Sequence, residues 1–355
     1  MHNMEKQYGR GFHCGLVSEN RNVLFGLSMV MIILFHFSED FHAAFEAGKV
    51  LPFPFWGGWI LKYYRYVRSI GVELFVFMAG MGQYYSYHKN PGAWNYYKRR
   101  AGRVLIPYAL LAIPFWFMVD GVLSKTGIVR YLEDLFFLTF FTDAEHALWF
   151  IGFILVMYLI LPVVYSLFYG HGRFVGTIAF LVLTGLVIAA NNGLRLQLPQ
   201  TYLGIELAIT RIPIFLIGVY AGKWIKEDRR LSGILVCIFV LGAIALKISM
   251  VQHGMTNAIV RYTDIAYALA ILVVLTVLAT GIQRLHWLHW LKNGLTLIGA
   301  YSLELYMTHV TVRSVFKQLK IGTWHVRSYV MVILLAILLS AGLKKMTDAL
   351  TQTKA

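Results

Sequence analysis

Residues 147–169 read ALWFIGFILVMYLILPVVYSLFY. No side chain in that stretch is charged, and its length is what an α-helix needs to cross the hydrocarbon core of a bilayer, about 20 residues. The pattern recurs along the chain, in apolar blocks at about 22–41, 69–88, 104–123, 147–169, 174–191, 204–225, 231–250, 261–281, 295–315 and 328–346. Only helices and closed barrels satisfy every backbone N–H and C=O in lipid, and barrel strands are about half this length. The expected fold is therefore all-α: a polytopic transmembrane helical bundle of about ten helices.

Composition agrees. Of 355 residues, 58% are hydrophobic and 14% charged, with a mean hydropathy of +0.63. A soluble domain of this size needs more charge to cover its surface. No repeat, linker or long polar stretch divides the chain, so one membrane domain is expected over 1–355, with tails at 1–21 and 347–355 around the bundle at 22–346. The first twenty residues lack the apolar core of a signal peptide. Cys14 and Cys237 cannot make a disulfide framework, and no metal-ligand spacing such as CxxC or HExxH occurs. The net charge of +15 does not indicate nucleic acid, because the basic residues stand between apolar blocks rather than along one stripe.

Those basic residues set an orientation. With the N-terminus in the cytoplasm, Lys6, Arg10, Arg21, the KRRAGR run at 98–103, Arg173, the KWIKEDRR run at 223–230, Arg284, Lys292, Lys344, Lys345 and Lys354 fall inside, and the acidic 124–146 loop falls outside. Both termini are then expected in the cytoplasm. The aromatic segment 42–68 and the short LEDLFFLTFF run within 124–146 suit the membrane interface.

An ionisable side chain in a membrane span is costly unless paired or hydrated, so each is a functional candidate. The set is His36, Glu73, Arg211, Lys247, Asp264, Glu304 and His309. Lys247 lies near a helix end and is expected to snorkel. The others are expected toward the outer half of the bundle, with Glu73 level with His36. On the inner side Arg100 and Arg103 stand three apart, so they share a helix face. Two guanidiniums there suit a phosphate-bearing ligand, or simply anchor the helix on the cytoplasmic side.

Six stretches, in order, resemble the integral-membrane acyltransferases called acyltransferase family 3, which include polysaccharide O-acetyltransferases. They are VLFGLSMVMIILFHF, GVELFVFMAGM, YYKRRAGRVLIPY, HALWFIGFILVMYLILPVVY, RIPIFLIGVYAGKW and IGAYSLELYMTHV. The resemblance implies that His36 is the catalytic base, that Glu73 is the acidic residue of the second-helix motif, and that Arg100 and Arg103 serve the acyl donor. Trp149, Arg211, Tyr306 and His309 match further motif positions. One position departs: where the family carries an Arg eleven residues before the His, this chain has Phe25, and Arg21, one turn earlier, is the nearest replacement.

The chemistry this implies is acyl transfer from acyl-CoA, by analogy acetyl-CoA, to a hydroxyl of a surface polysaccharide or lipid-linked glycan at the cell membrane. Acyl-CoA is a co-substrate; no bound cofactor is expected. Membrane lipids, the donor and the glycan are the partners. A His near working pH takes the hydroxyl proton, and a carboxylate orients it: Glu73 first, Asp264 or Glu304 as substitutes. Arg211, Tyr306 and Trp149 are candidates for the acceptor or the oxyanion. A glycan or lipid transporter, or flippase, is the alternative.

Overall fold

A computed structural model describes residues 11–50, 56–68, 70–143, 147–254 and 258–352. Lys6, Arg10 and Lys354, assigned above to the cytoplasmic side, lie outside them. The helices, in chain order, are α1 (Gly15–Glu19), α2 (Arg21–Glu46), α3 (Trp56–Tyr66), α4 (Ile70–Lys89), α5 (Ala93–Trp116), α6 (Ile128–Leu135), α7 (Leu138–Thr142) and α8 (Trp149–Tyr169). They continue with α9 (Arg173–Gln197), α10 (Pro199–Ile209), α11 (Ile212–Lys226), α12 (Gly233–Gln252), α13 (Ala258–Arg284), α14 (His289–Ala300), α15 (Ser302–Gln318) and α16 (Val326–Gln352). The chain is an all-α, polytopic membrane protein.

Among the described residues eight segments are long and apolar enough to cross a membrane: α2, α5 with the wider turns Phe117–Leu123 that extend it, α8, α9, α10 with α11, α12, α13 and α16. The other two expected spans fall on α4 and α14–α15. Each carries buried polar groups, Glu73 and Gln83 on α4 and Glu304, His309 and Arg313 on α15. A helix that hides its polar side in protein need not be apolar all round.

The chain forms two compact units. The first comprises residues 1–36, 52–85 and 214–300, and the second 37–51, 86–213 and 301–355. In the first unit, glycines bring backbones together. A Cβ on Gly299 would fall onto the carbonyl oxygen of Asn22, and one on Gly26 onto that of Leu295. The same relation joins Gly80 to Phe215 and Gly218 to Phe77. With little hydrophobic drive between helices in lipid, such close packing is what associates α2 with α14 and α4 with α11. Strands β1 (Gly11–His13) and β2 (Arg230–Ser232) pair antiparallel, Phe12 opposite Leu231. Asp228 ties this small sheet to α1: it accepts from the Gly15 N–H at 2.8 Å and from His13 Nδ1 at 2.9 Å.

In the second unit α15 packs on α16 through Val312, Phe316 and Val332, and Thr308 donates to the Ala336 carbonyl at 2.9 Å. The 124–146 loop forms α6 and α7, joined at Phe137 in a left-handed conformation (φ 61°).

Candidate active site

In the first unit the helices that carry His36 and Glu73 run antiparallel. The Phe25 and Phe75 rings meet edge to face at 4.9 Å, Gly71 backs onto Ser28–Ile32, and Gly82 lies beside Arg21. Glu73 therefore stands about level with Ser28, and His36 about eight residues farther along α2, roughly 12 Å at 1.5 Å per residue. The two are offset by about two turns rather than level. The reason is that α4 begins only at Ile70; opposite His36 lies the end of α3 instead. Tyr64 stacks on Phe35 at 6.2 Å, and the Tyr63 hydroxyl donates to the Met31 carbonyl at 3.0 Å. Side chains lean toward the N-terminus of their own helix. In this antiparallel pair the two leans are opposed, so His36 and Glu73 each lean toward the other. His36 is half-buried and Glu73 buried.

Phe25 has a clear place. It packs on Phe75, and the Arg21 guanidinium lies over its other side, 5.4 Å from the ring centroid. Arg21 is exposed at the start of α2. Asp264 is occupied: it pairs with Lys247 across α12 and α13, and both side chains are buried. Lys247 does not snorkel as expected. A carboxylate on the neighbouring helix gives its charge a partner inside the membrane.

The second unit gathers Trp149, Arg211 and Tyr306. The expected single span at 204–225 is interrupted between α10 and α11, where Pro213 has no N–H to give the Ile209 carbonyl. The Arg211 N–H turns to the Ala208 carbonyl, and its guanidinium donates to the Leu207 carbonyl at 2.7 Å. The guanidinium also lies 5.3 Å from the Trp149 ring. Trp149 opens α8 directly after Leu148, whose left-handed backbone (φ 59°) turns the chain sharply. Next to it, the Phe150 and Tyr306 rings meet at 5.4 Å. The result is a buried cation over an indole, where a helix is broken, with Tyr306 packed on the residue next to that indole.

Glu304 and His309 go elsewhere. The expected span at 295–315 is also interrupted, at Tyr301, so Glu304 falls in the first turn of α15. There it meets Lys344 of α16 at 4.0 Å. His309 is fully buried, and its Nε2 is hydrogen-bonded to the Tyr329 hydroxyl at 3.0 Å.

Arg99, Arg100 and Arg103 lie within α5, not before it. Arg100 is held by two aromatic rings, 5.8 Å from both the Tyr96 and Tyr158 centroids, and Arg103 is exposed. Among the described residues neither Arg100 nor Arg103 is paired with a carboxylate.

One group of residues is new to the structure: Asp40 and Glu39 on α2, bound by Arg313 and Lys317 on α15. Asp40 follows His36 by four residues and Arg313 follows His309 by four. The helical spacing was a signal for both, but nothing in the sequence pairs the two helices.

The family model described as an acyltransferase domain matches residues 22–344. No curated protein and no solved structure matches the chain. The match covers nearly all of the chain, and the chain belongs to this acyltransferase family.

Proposed function

We propose, for a chain of that family, that it is an O-acyltransferase of the cell membrane: it moves an acyl group, acetyl by analogy, from cytoplasmic acyl-CoA to a hydroxyl of a surface polysaccharide or lipid-linked glycan. Both termini then face the cytoplasm. The family match carries the acyl transfer; the side chains supply the roles.

His36 takes the proton of the attacking hydroxyl. The new C–O bond forms as the thioester carbonyl becomes tetrahedral, and the C–S bond then breaks, with the proton passing from His36 to the departing CoA sulfur. Glu73 leans toward His36 from the neighbouring helix and is the carboxylate assigned to act with it. Arg100 and Arg103, without carboxylate partners among the described residues, fit the donor phosphates, and Arg21 fits the same task near Phe25. In the second unit the Trp149–Arg211–Tyr306 group offers an aromatic face and donors suited to an acceptor sugar or a developing oxyanion. An indole face and a guanidinium both suit a polyhydroxylated ligand better than an apolar one.

The test supplies purified protein with labelled acetyl-CoA and a total envelope glycan extract. Wild type is expected to label glycan and His36→Ala is not. Undiminished transfer in His36→Ala would remove His36 as the base. The second reading is a glycan or lipid transporter. The breaks at Arg211 and Tyr301 favour it, since transporters line their sites with interrupted helices. Absence of glycan labelling with every acyl-CoA supplied would support that reading.

A further inference from the structure

Helix α2 does not end its work at His36. One turn farther on, on the same face, it presents Asp40, which is 5% exposed. Arg313 grips that carboxylate with two parallel bonds, Nε to Oδ2 at 2.9 Å and Nη2 to Oδ1 at 2.6 Å. Nη2 also reaches Glu39 at 2.6 Å, and Lys317 adds its Nζ to Asp40 at 2.7 Å. One turn back along α15, His309 holds the Tyr329 hydroxyl, and the Tyr329 ring packs against Phe37 at 4.8 Å. Positions 37, 39 and 40 of α2 are thus all held, directly or through Tyr329, by one row of α15: 309, 313 and 317.

A buried ion pair is a poor source of stability, because desolvation offsets most of the attraction. Its strength is geometric. A bidentate guanidinium–carboxylate pair fixes distance and plane together. A helix gripped this way cannot turn about its axis or slide along it, and the turn it fixes begins at His36.

We propose that Arg313 is a positioning residue for acyl transfer: by clamping Asp40 it sets the rotation and depth of the α2 turn that carries His36. The proposal rests on His36 acting as the base. His309, matched to the family by sequence, belongs to the same clamp through Tyr329 and Phe37.

The test compares wild type, His36→Ala, Arg313→Lys and the double variant Arg313→Gln/Asp40→Asn, using labelled acetyl-CoA and the glycan extract. The double variant removes both charges together, so no unpaired charge stays buried. A displacement of about 1 Å in a catalytic group costs up to about 100-fold in rate. The double variant is expected to lose about 10- to 100-fold in kcat, with the KM for acetyl-CoA within about twofold and a melting temperature near that of wild type. Arg313→Lys keeps the charge but loses the fork, and is expected to fall several-fold in kcat, again with KM unchanged. A loss that appears in KM or in melting instead of kcat marks Arg313 as merely structural and overturns the proposal. So does either variant turning over at the wild-type rate while His36→Ala is inactive. Full transfer by His36→Ala would instead defeat the reading of His36 on which the proposal rests.

Discussion

The guanidinium of Arg211 donates to the carbonyl oxygen of Leu207, 2.7 Å away and one turn behind it, where the helix is broken ahead of Pro213. The side chain caps the break that places it. Arg211→Ala leaves that carbonyl without a partner, at a cost of about 1–3 kcal/mol, and loses the stacking on Trp149, worth about 0.5–2 kcal/mol. A clear drop in melting temperature in detergent is expected, together with loss of transfer. Adding Pro213→Ala gives Ile209 an N–H and lets the helix close. The double variant should recover stability but not transfer; recovery of both would show that Arg211 serves the fold alone.

The Lys247–Asp264 pair separates fold from chemistry. Lys247→Ala strands a carboxylate inside the membrane and is expected to destabilise by about 3–5 kcal/mol. Replacing both, as Lys247→Met with Asp264→Leu, is expected to be close to neutral in melting and to leave transfer intact. Loss of transfer in a well-folded double variant would return Asp264 to the list of groups that orient His36.

The α2–α14 contact has an internal control. Gly299→Ala puts a methyl onto the Asn22 carbonyl, while a Cβ on Gly294 of the same helix meets nothing within 4 Å. Gly299→Ala is expected to cost about 1–3 kcal/mol through overpacking. Gly294→Ala is expected to be neutral or to gain up to about 1 kcal/mol of helix propensity. Equal melting of the two would contradict the close approach.

Donor binding is tested on the arginines. Arg100→Ala and Arg21→Ala are each expected to raise the acetyl-CoA dissociation constant several-fold, by isothermal titration, and more so together. An unchanged constant for Arg21→Ala would mean that stacking on Phe25 is its whole role.

The Asp228 clasp is sensitive to acid. Partial burial opposes its charge, but the hydrogen bonds from His13 and the Gly15 N–H outweigh that and hold the carboxyl below its ordinary value. A carboxyl lowered in the folded state contributes stability above the unfolded value, near pH 4, and loses it as the pH falls through the folded value. Limited proteolysis should find the β1–β2 segment protected from neutral pH down to about 4 and released in stronger acid. Asp228→Asn should be cut readily at every pH.

Much of this was legible in the sequence. Uncharged runs such as 147–169 report helices because lipid demands them, and the motifs around His36, Glu73, Trp149, Arg211 and Tyr306 pointed to the family to which the chain belongs. What stayed hidden depends on rotation. Hydropathy places Lys247 at a depth but does not say that Asp264 faces it, and the same holds for Arg313 and Asp40. The expected span at 204–225 ran through Pro213, where the helix breaks, and Tyr301, with no proline or glycine beside it, gave no sign of the other break. The offset of Glu73 from His36 was missed because α2 runs on to Glu46 and α4 starts opposite its middle, near Ile32, rather than opposite its far end.

The clamp on α2 also bears on how the protein is made. A central Arg, Lys or Asp costs about 2.5–3.5 kcal/mol when a helix enters lipid alone, and α15 carries Glu304, His309, Arg313 and Lys317. It is the helix least able to partition by itself. Its acidic counterparts, Asp40 and Glu39, are synthesised 273 and 274 residues before Arg313. When α15 leaves the ribosome its acidic partner on α2 is already in the membrane, so the helix can enter lipid with its charge met.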